Sequence, residues 1–276
     1  MSEDLGYDTV TALAESDATG KIADIFSDIR HTMQIPILTS IWRVLADSET
    51  DLDLTWKAVK PLYATGQPEA GLARLRSEAK FPVLEPVSLS EIDAIGMPSE
   101  EFQSAKAVLA AYNRSNSLNL ITLTALLTDQ PEEHVEYPSI KTAFVPNPLP
   151  KLLPRDEISD SVWETVLQIN THGTKHNHPS LATIFRHLAY WPNLLSLMES
   201  RLANAQKPAA IPTGADSVAN IAMEEGYRLS SLRDDAALSK MSVHSYNTIE
   251  NYVDGPFKVA RIVNIGTALI RSLGEY

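Results

Sequence analysis

Apolar residues recur at helical spacing along most of the chain. Ile22, Ile25, Phe26 and Ile29 fall at i, i+3, i+4 and i+7 within Lys21–Arg30, the pattern of a helix with one buried face. The same reading predicts helices over 36–45, 52–64 and 69–79, the last after a turn marked by Gly66 and Pro68. Phe81–Val87, with Pro82 and Pro86, reads as an extended connector without a hairpin partner. Ser90, followed three residues later by Asp93, reads as a helix start. Ser99 reads as an N-cap, with Glu100 and Glu101 in the first turn of a helix running through Phe102, Ala105, Val108, Leu109 and Tyr112. Asn113-Arg-Ser-Asn116 is expected to interrupt or cap that helix before the apolar segment Leu118–Leu127.

Six prolines lie between Pro131 and Pro154, a density that forbids a helix or a central strand and predicts a long strap. Beyond it, Val162, Thr165, Val166 and Ile169 restore the helical period until Gly173 ends it. A polar loop carries His172, His176 and His178, and Pro179 opens the next predicted helix. Further helices are expected over 193–205, 216–232, 242–252 and 259–273, with Lys207–Gly214 as a turn. No convincing strand emerges, so the expected class is all-α.

The pattern also repeats. Pro36-Ile-Leu-Thr-Ser-Ile-Trp-Arg-Val-Leu-Ala46 aligns with Pro179-Ser-Leu-Ala-Thr-Ile-Phe-Arg-His-Leu-Ala189 at a constant offset of 143 residues. Ile41 meets Ile184, Trp42 meets Phe185, and Arg43 meets Arg186. The expected organisation is a pseudo-dimer: one helical repeat over 1–128, a Pro-rich linker over 129–158 and a second repeat over 159–276. A functional site is then expected between the copies.

Composition narrows the chemistry. The chain has 276 residues and no cysteine, which excludes disulfides and thiolate chemistry. A formal charge of −12 argues against wrapping a phosphate backbone, so no nucleic-acid partner is expected. The acidic start lacks the basic and apolar regions of a signal peptide, and no stretch approaches a membrane span; a cytoplasmic protein with no membrane partner is expected. Gly-x-Gly-x-x-Gly, Gly-Lys-Ser/Thr and Gly-x-Ser-x-Gly are all absent, which weighs against nucleotide enzymes and α/β-hydrolases.

Among candidate residues, His176-x-His178 lacks a nearby acid, so a solvated loop is favoured over a metal site. Arg43 and Arg186 occur in both copies, which favours structural pairing over a grip on a ligand. Asn113 and Asn116 stand equally for capping and for orienting a substrate or water.

Several of these segments carry a family resemblance. Ala18–Arg30, Ile35-Pro36, Arg43–Ala46, Tyr112-Asn-Arg-Ser-Asn116 with Leu120-Ile-Thr122, His176-x-His178 and Leu188–Pro192 together resemble the group I 2-haloacid dehalogenases. These all-helical enzymes act on D and L substrates and are unrelated to the haloacid-dehalogenase-like phosphatases. The resemblance implies a pseudo-dimer of helical repeats and hydrolysis with inversion, in which an aspartate activates water without an ester intermediate. It places the water-holding asparagine on Asn116 and a site tyrosine on Tyr252. The aspartate's position falls on Ile184, and no Asp or Glu occurs from Ser180 to Leu197.

His187 stands three residues from Ile184, and an imidazole with an ordinary pKa near 6.5 suits a base at neutral pH; it is the expected substitute. The expected catalytic residues are thus His187 and Asn116. Thr183, Ile184, Tyr252, Ser40 and Ile41 are expected to contact a small organic acid, with no cofactor and no metal. Two functions fit: a dehalogenase-like hydrolase with altered chemistry, or a non-catalytic small-molecule binder on the same scaffold, as a monomer or a homodimer. A weaker third is a relative of the carboxymuconolactone decarboxylases, whose redox cysteines this chain lacks.

Overall fold

The computed structural model describes residues 12–132, 138–140, 149–174, 181–205, 209–254 and 259–274. Among them the architecture is all-helical, with no strand. The first group of helices is α1 (Gly20–Met33), α2 (Ser40–Leu45), α3 (Glu49–Ala64), α4 (Gln67–Glu78), α5 (Leu89–Ala94) and α6 (Ser99–Leu127). The second is α7 (Asp160–Thr171), α8 (Thr183–His187), α9 (Pro192–Ala203), α10 (Ala210–Leu229), α11 (Asp235–Leu238), α12 (Val243–Asp254) and α13 (Val259–Ser272). No helix among the described residues is long and apolar enough to cross a membrane.

Two apolar cores organise these helices. One gathers Phe26, Trp42, Leu52 and Leu62 with the second half of α6. The other gathers the first half of α6, including Val108 and Leu109, with Phe185, Leu188 and Leu195. α13 is split in the same way: Ala260 and Val263 face the first core, Ile262 and Ile265 the second. These two long helices therefore stitch the cores together, and α10 packs against both of them.

Close approach of α10 depends on glycine. A Cβ at Gly214 would meet the side chain of Asn264 on α13 and, at 2.6 Å, the Lys80 carbonyl. A Cβ at Gly226 would meet Thr124 on α6 at 2.5 Å. In the first core Trp42 packs edge-on against Trp56, with ring centroids 5.6 Å apart, and donates its indole N–H to Asn119 at 3.0 Å.

Several expected boundaries move. α6 runs unbroken through Asn113–Asn116, and several of its polar side chains find partners: Asn113 donates to Thr267, Ser117 to Asn113, and Thr124 to the Leu120 carbonyl. A helix buried on all sides accepts such residues once their hydrogen bonds are met. α2 starts at Ser40, not Pro36, because the Leu38 N–H is drawn out to the Glu15 carboxylate at 2.7 Å. The capping box before α5 is Ser88 with Glu91, two residues upstream of the expected start. Pro98 rather than Ser99 occupies the N-cap of α6. α10 begins at Ala210, so Ile211–Gly214 is helical; Pro212 is tolerated there in the first turn, where its missing N–H costs nothing. In the second copy of the repeated stretch, Ala182 is extended and α8 spans only five residues. Pro179, His176 and His178 lie outside the described residues.

Arg43 and Arg186 take equivalent structural roles. Arg43 Nε donates to the Leu13 carbonyl at 2.9 Å and Nη2 to Ala12; Arg186 Nε donates to the Leu153 carbonyl at 2.8 Å. Each ties down the irregular segment that precedes its own group of helices.

Candidate functional site

A cavity of about 350 Å³ opens where the two cores meet. α2 supplies Ser40, Ile41 and Val44, with Thr39 just before it; the α8 segment supplies Leu181, Ala182, Thr183 and Ile184. α6 contributes Tyr112 and Asn116, α12 contributes Asn251 and Tyr252, and α13 contributes Arg261 and Ile262. Asn116 stands on α6 between Tyr112, which faces one core, and Leu118, which faces the other. Helices that span both cores thus deliver polar side chains to this cavity.

Two apolar residues at equivalent positions, Ile41 and Ile184, line the cavity together with the hydroxyl-bearing pair Ser40 and Thr183. The polar part is more specific. The Tyr252 hydroxyl donates to Asn116 Oδ1 at 3.0 Å. Burial holds the Tyr252 phenol well above its ordinary pKa, so it remains a donor at neutral pH. With one lone pair of Oδ1 engaged, Asn116 still has its amide NH2 to offer a ligand. The α2 end of the cavity is held by Asn119, whose amide donates to Thr39 Oγ1 at 2.6 Å while its carbonyl accepts from Trp42.

Arg261 is the residue that sequence reasoning missed. It is 4% exposed, and its Nη1 donates to the carbonyls of Asn170 at 2.9 Å and His172 at 2.8 Å, at the end of α7. The signal was present: the one charged residue of the mostly apolar Val259–Leu269, in its first turn. Asn251, Thr248 and Thr39 were missed as well, and nothing in their local pattern separates them from other helix-surface residues.

Of the expected site residues, Asn116, Thr183, Ile184, Tyr252, Ser40 and Ile41 all reach this cavity. His187 does not. It is the last residue of α8 and fully buried, with Nε2 donating to the Pro150 carbonyl at 2.8 Å and Nδ1 accepting from the Tyr112 hydroxyl at 3.2 Å. A carbonyl can only accept, so the proton sits on Nε2. Burial pulls the imidazole pKa down to about 4, so it stays neutral across the physiological range. Both nitrogens are occupied, which leaves none directed at a ligand in the cavity. The expectation for Asn113 and Asn116 therefore divides: Asn113 is structural and Asn116 lines the cavity.

His172 accompanies Glu199, with Nε2 at 3.3 Å from the carboxylate. Among the described residues no group of three His, Asp or Glu side chains is placed to hold a metal ion. No described residue of the cavity wall carries a carboxylate.

No family model matches the chain. In sequence it is similar to the configuration-inverting 2-haloacid dehalogenase of Alcaligenes xylosoxydans xylosoxydans, 27% identical over 194 residues, or 67% of this chain and 66% of that protein. It is also similar to the configuration-inverting 2-haloacid dehalogenase of Pseudomonas sp. (strain 113), 26% identical over 208 residues, or 71% of this chain and 66% of that protein. The match thus spans just under two thirds of the length of these relatives. In structure the chain is similar to a D-2-haloacid dehalogenase mutant in complex with D-2-CPA, with TM-score 0.77, 16% identity and coverage of 95% of this chain and 94% of that one. A D-2-haloacid dehalogenase in complex with L-LA gives TM-score 0.76 at 16% identity, covering 95% of each chain. The fold is shared, and the resemblance read from the sequence holds.

Proposed function

Taking the chain as a relative of the configuration-inverting 2-haloacid dehalogenases, we propose that its cavity receives a small 2-halocarboxylic acid and that the protein is a dehalogenase-like hydrolase with altered chemistry. The observation that carries this reading is convergence. Asn116, Tyr252, Thr183, Ile184, Ser40 and Ile41, drawn from four helices, meet around one cavity of a size suited to a small ligand. The pseudo-dimer reading belongs to the same proposal, and the matched tethers of Arg43 and Arg186 support it.

In the inverting reaction the oxygen of water bonds to the 2-carbon as the carbon–halogen bond breaks. The halide leaves with the bonding pair, and a proton must leave the water. The resemblance assigns that proton to an aspartate, and here the position holds Ile184, 2% exposed. Asn116 and Tyr252 can orient a ligand or a water but cannot take up a proton at neutral pH. His187 sits outside the cavity with both nitrogens engaged. Loss of general-base assistance typically costs about 10²–10⁴-fold in rate, so the reaction in this cavity is slow and the proton passes to solvent.

A second reading, a non-catalytic binder of small organic acids, is favoured by the lack of any carboxylate among the described wall residues. Halide release from D- and L-2-chloropropionate, read beside calorimetric binding of the same acids, separates the two. The hydrolase reading expects binding, slow release by the native protein and faster release after Ile184→Asp. Binding with no release above buffer supports the binder. No binding of either enantiomer overturns both.

A further inference from the structure

Buried arginines elsewhere in this chain have evident partners. Arg114 forks onto the Glu69 carboxylate, with Nη1 at 3.0 Å, and also donates to the Met33 and Gln34 carbonyls. Arg43 and Arg186 bind main-chain oxygens of irregular segments. Arg261 differs. Only one terminal nitrogen, Nη1, is bonded to carbonyls of the described residues, and its buried Nε has no partner there. No carboxylate among the described residues pairs with it.

Burial lowers the Arg261 pKa to about 10, so the side chain still carries its charge at neutral pH. A buried cation without a counter-charge is costly. The fold nevertheless positions it with care. α7 ends at Thr171, and the turn that follows it passes through Gly173, whose φ of +75° is a left-handed conformation suited to glycine; the Asn170 and His172 carbonyls beside this turn accept from Nη1. A Cβ at Gly173 would collide with Ile211 and reach Arg261 Cδ at 3.6 Å. The guanidinium is thereby fixed on one side, and Arg261 lines the cavity.

We infer that Arg261 is the anion anchor of this cavity: Nη1 is clamped to the end of α7, and the rest of the guanidinium binds the carboxylate of a small 2-substituted acid. This rests on the reading of the cavity as a 2-halocarboxylate site and names the group that recognises the acid. A guanidinium presents a planar fork that suits a carboxylate, and the ligand supplies the counter-charge that the described residues do not. No other charged residue among those described lines the cavity. Recognition therefore centres on the carboxylate, while the 2-substituent meets neutral and apolar walls such as Ile41 and Ile184.

The test compares binding of D- and L-2-chloropropionate with binding of the neutral isostere 2-chloropropionamide, by calorimetry on the full chain at pH 7. The native protein is expected to prefer the acid by roughly 10-fold or more, the range of a charge-assisted hydrogen bond. Arg261→Met is expected to abolish that preference by weakening the acid alone, and Arg261→Lys to restore part of it. Equal binding of acid and amide by the native protein overturns the anchor, and so does undiminished acid binding by a folded Arg261→Met. If Arg261→Met does not fold, the native preference together with the Arg261→Lys affinity decides. A native protein that binds neither acid nor amide overturns the proposed function itself; one that binds both equally overturns only the anchor.

Discussion

Tyr252 on α12 donates its hydroxyl to Asn116 Oδ1 on α6 at 3.0 Å, closing one side of the cavity across 136 residues of chain. The bond restrains the rotamer of Asn116 and leaves its amide nitrogen free to donate. Tyr252→Phe is expected to cost about 1–3 kcal/mol of stability, because it leaves the Asn116 oxygen in a largely buried place without its donor. A double-mutant cycle of Tyr252→Phe with Asn116→Ala checks this by chemical denaturation. Coupling of about 0.5 kcal/mol or more is expected for a direct bond, and additive effects would contradict it.

Ile184→Asp places a carboxylate in the cavity wall where the chain now has a methyl-bearing side chain. If Asn116 and Tyr252 hold a ligand as proposed, halide release should rise by about 10²–10⁴-fold, the usual worth of a general base. Burial opposes ionisation of the new acid, so release should also increase with pH toward neutrality. An unchanged rate in a folded, ligand-binding variant would show that the position is not aimed at the reacting carbon.

His187 should leave a mark on acid stability rather than on activity. Its imidazole lies at about 4 in the folded protein, chiefly through desolvation, against an ordinary value near 6.5. The unfolded chain therefore binds the proton more readily. The group's contribution is fully present above pH 6.5 and is lost as pH falls toward 4, by about 2 kcal/mol at pH 5 and about 3 kcal/mol below pH 4. Urea denaturation at pH 7 and pH 5 should show His187→Gln losing less stability than the native protein over that interval. An identical pH slope in both would refute the assignment.

Gly214→Ala should destabilise the protein by about 1–3 kcal/mol, the usual penalty for adding a methyl to a packed contact. The new carbon would press on the Asn264 side chain, which donates to the Ile211 carbonyl at 2.9 Å, and on the Lys80 carbonyl. Gly96→Ala is the control: it has open space around the added carbon, and its cost should come only from its left-handed φ of +68°. The check is the thermal midpoint of each variant, and it fails if Gly214→Ala is neutral.

The all-helical class, the positions of most helices and the paired arginines were legible in the sequence because each depends on local periodicity or on self-similarity. Ile22, Ile25, Phe26 and Ile29 announce α1 from one face alone. Arg43 and Arg186 stand at matching places in two similar stretches of sequence and make similar bonds to the Leu13 and Leu153 carbonyls. The resemblance pointed to Asn116, Tyr252 and Ile184, and all three reach one cavity.

What only the tertiary structure decided depends on partners far away in the chain. α6 stays continuous at Asn113 because Thr267, 154 residues on, accepts its amide. His187 shares the α8 helix with Ile184, yet it is turned to Pro150 and Tyr112, since a five-residue helix has room to present only some of its side chains to the cavity. Arg261 reads in sequence as a cation in the first turn of a mostly apolar helix. Only packing shows its Nη1 bound to the end of α7 beside a cavity whose described walls carry no acid. Sequence periodicity determined which faces are buried; the meeting of the two cores decided which polar groups were left without a partner, because a charge's counter-group is set by distance in space and not along the chain.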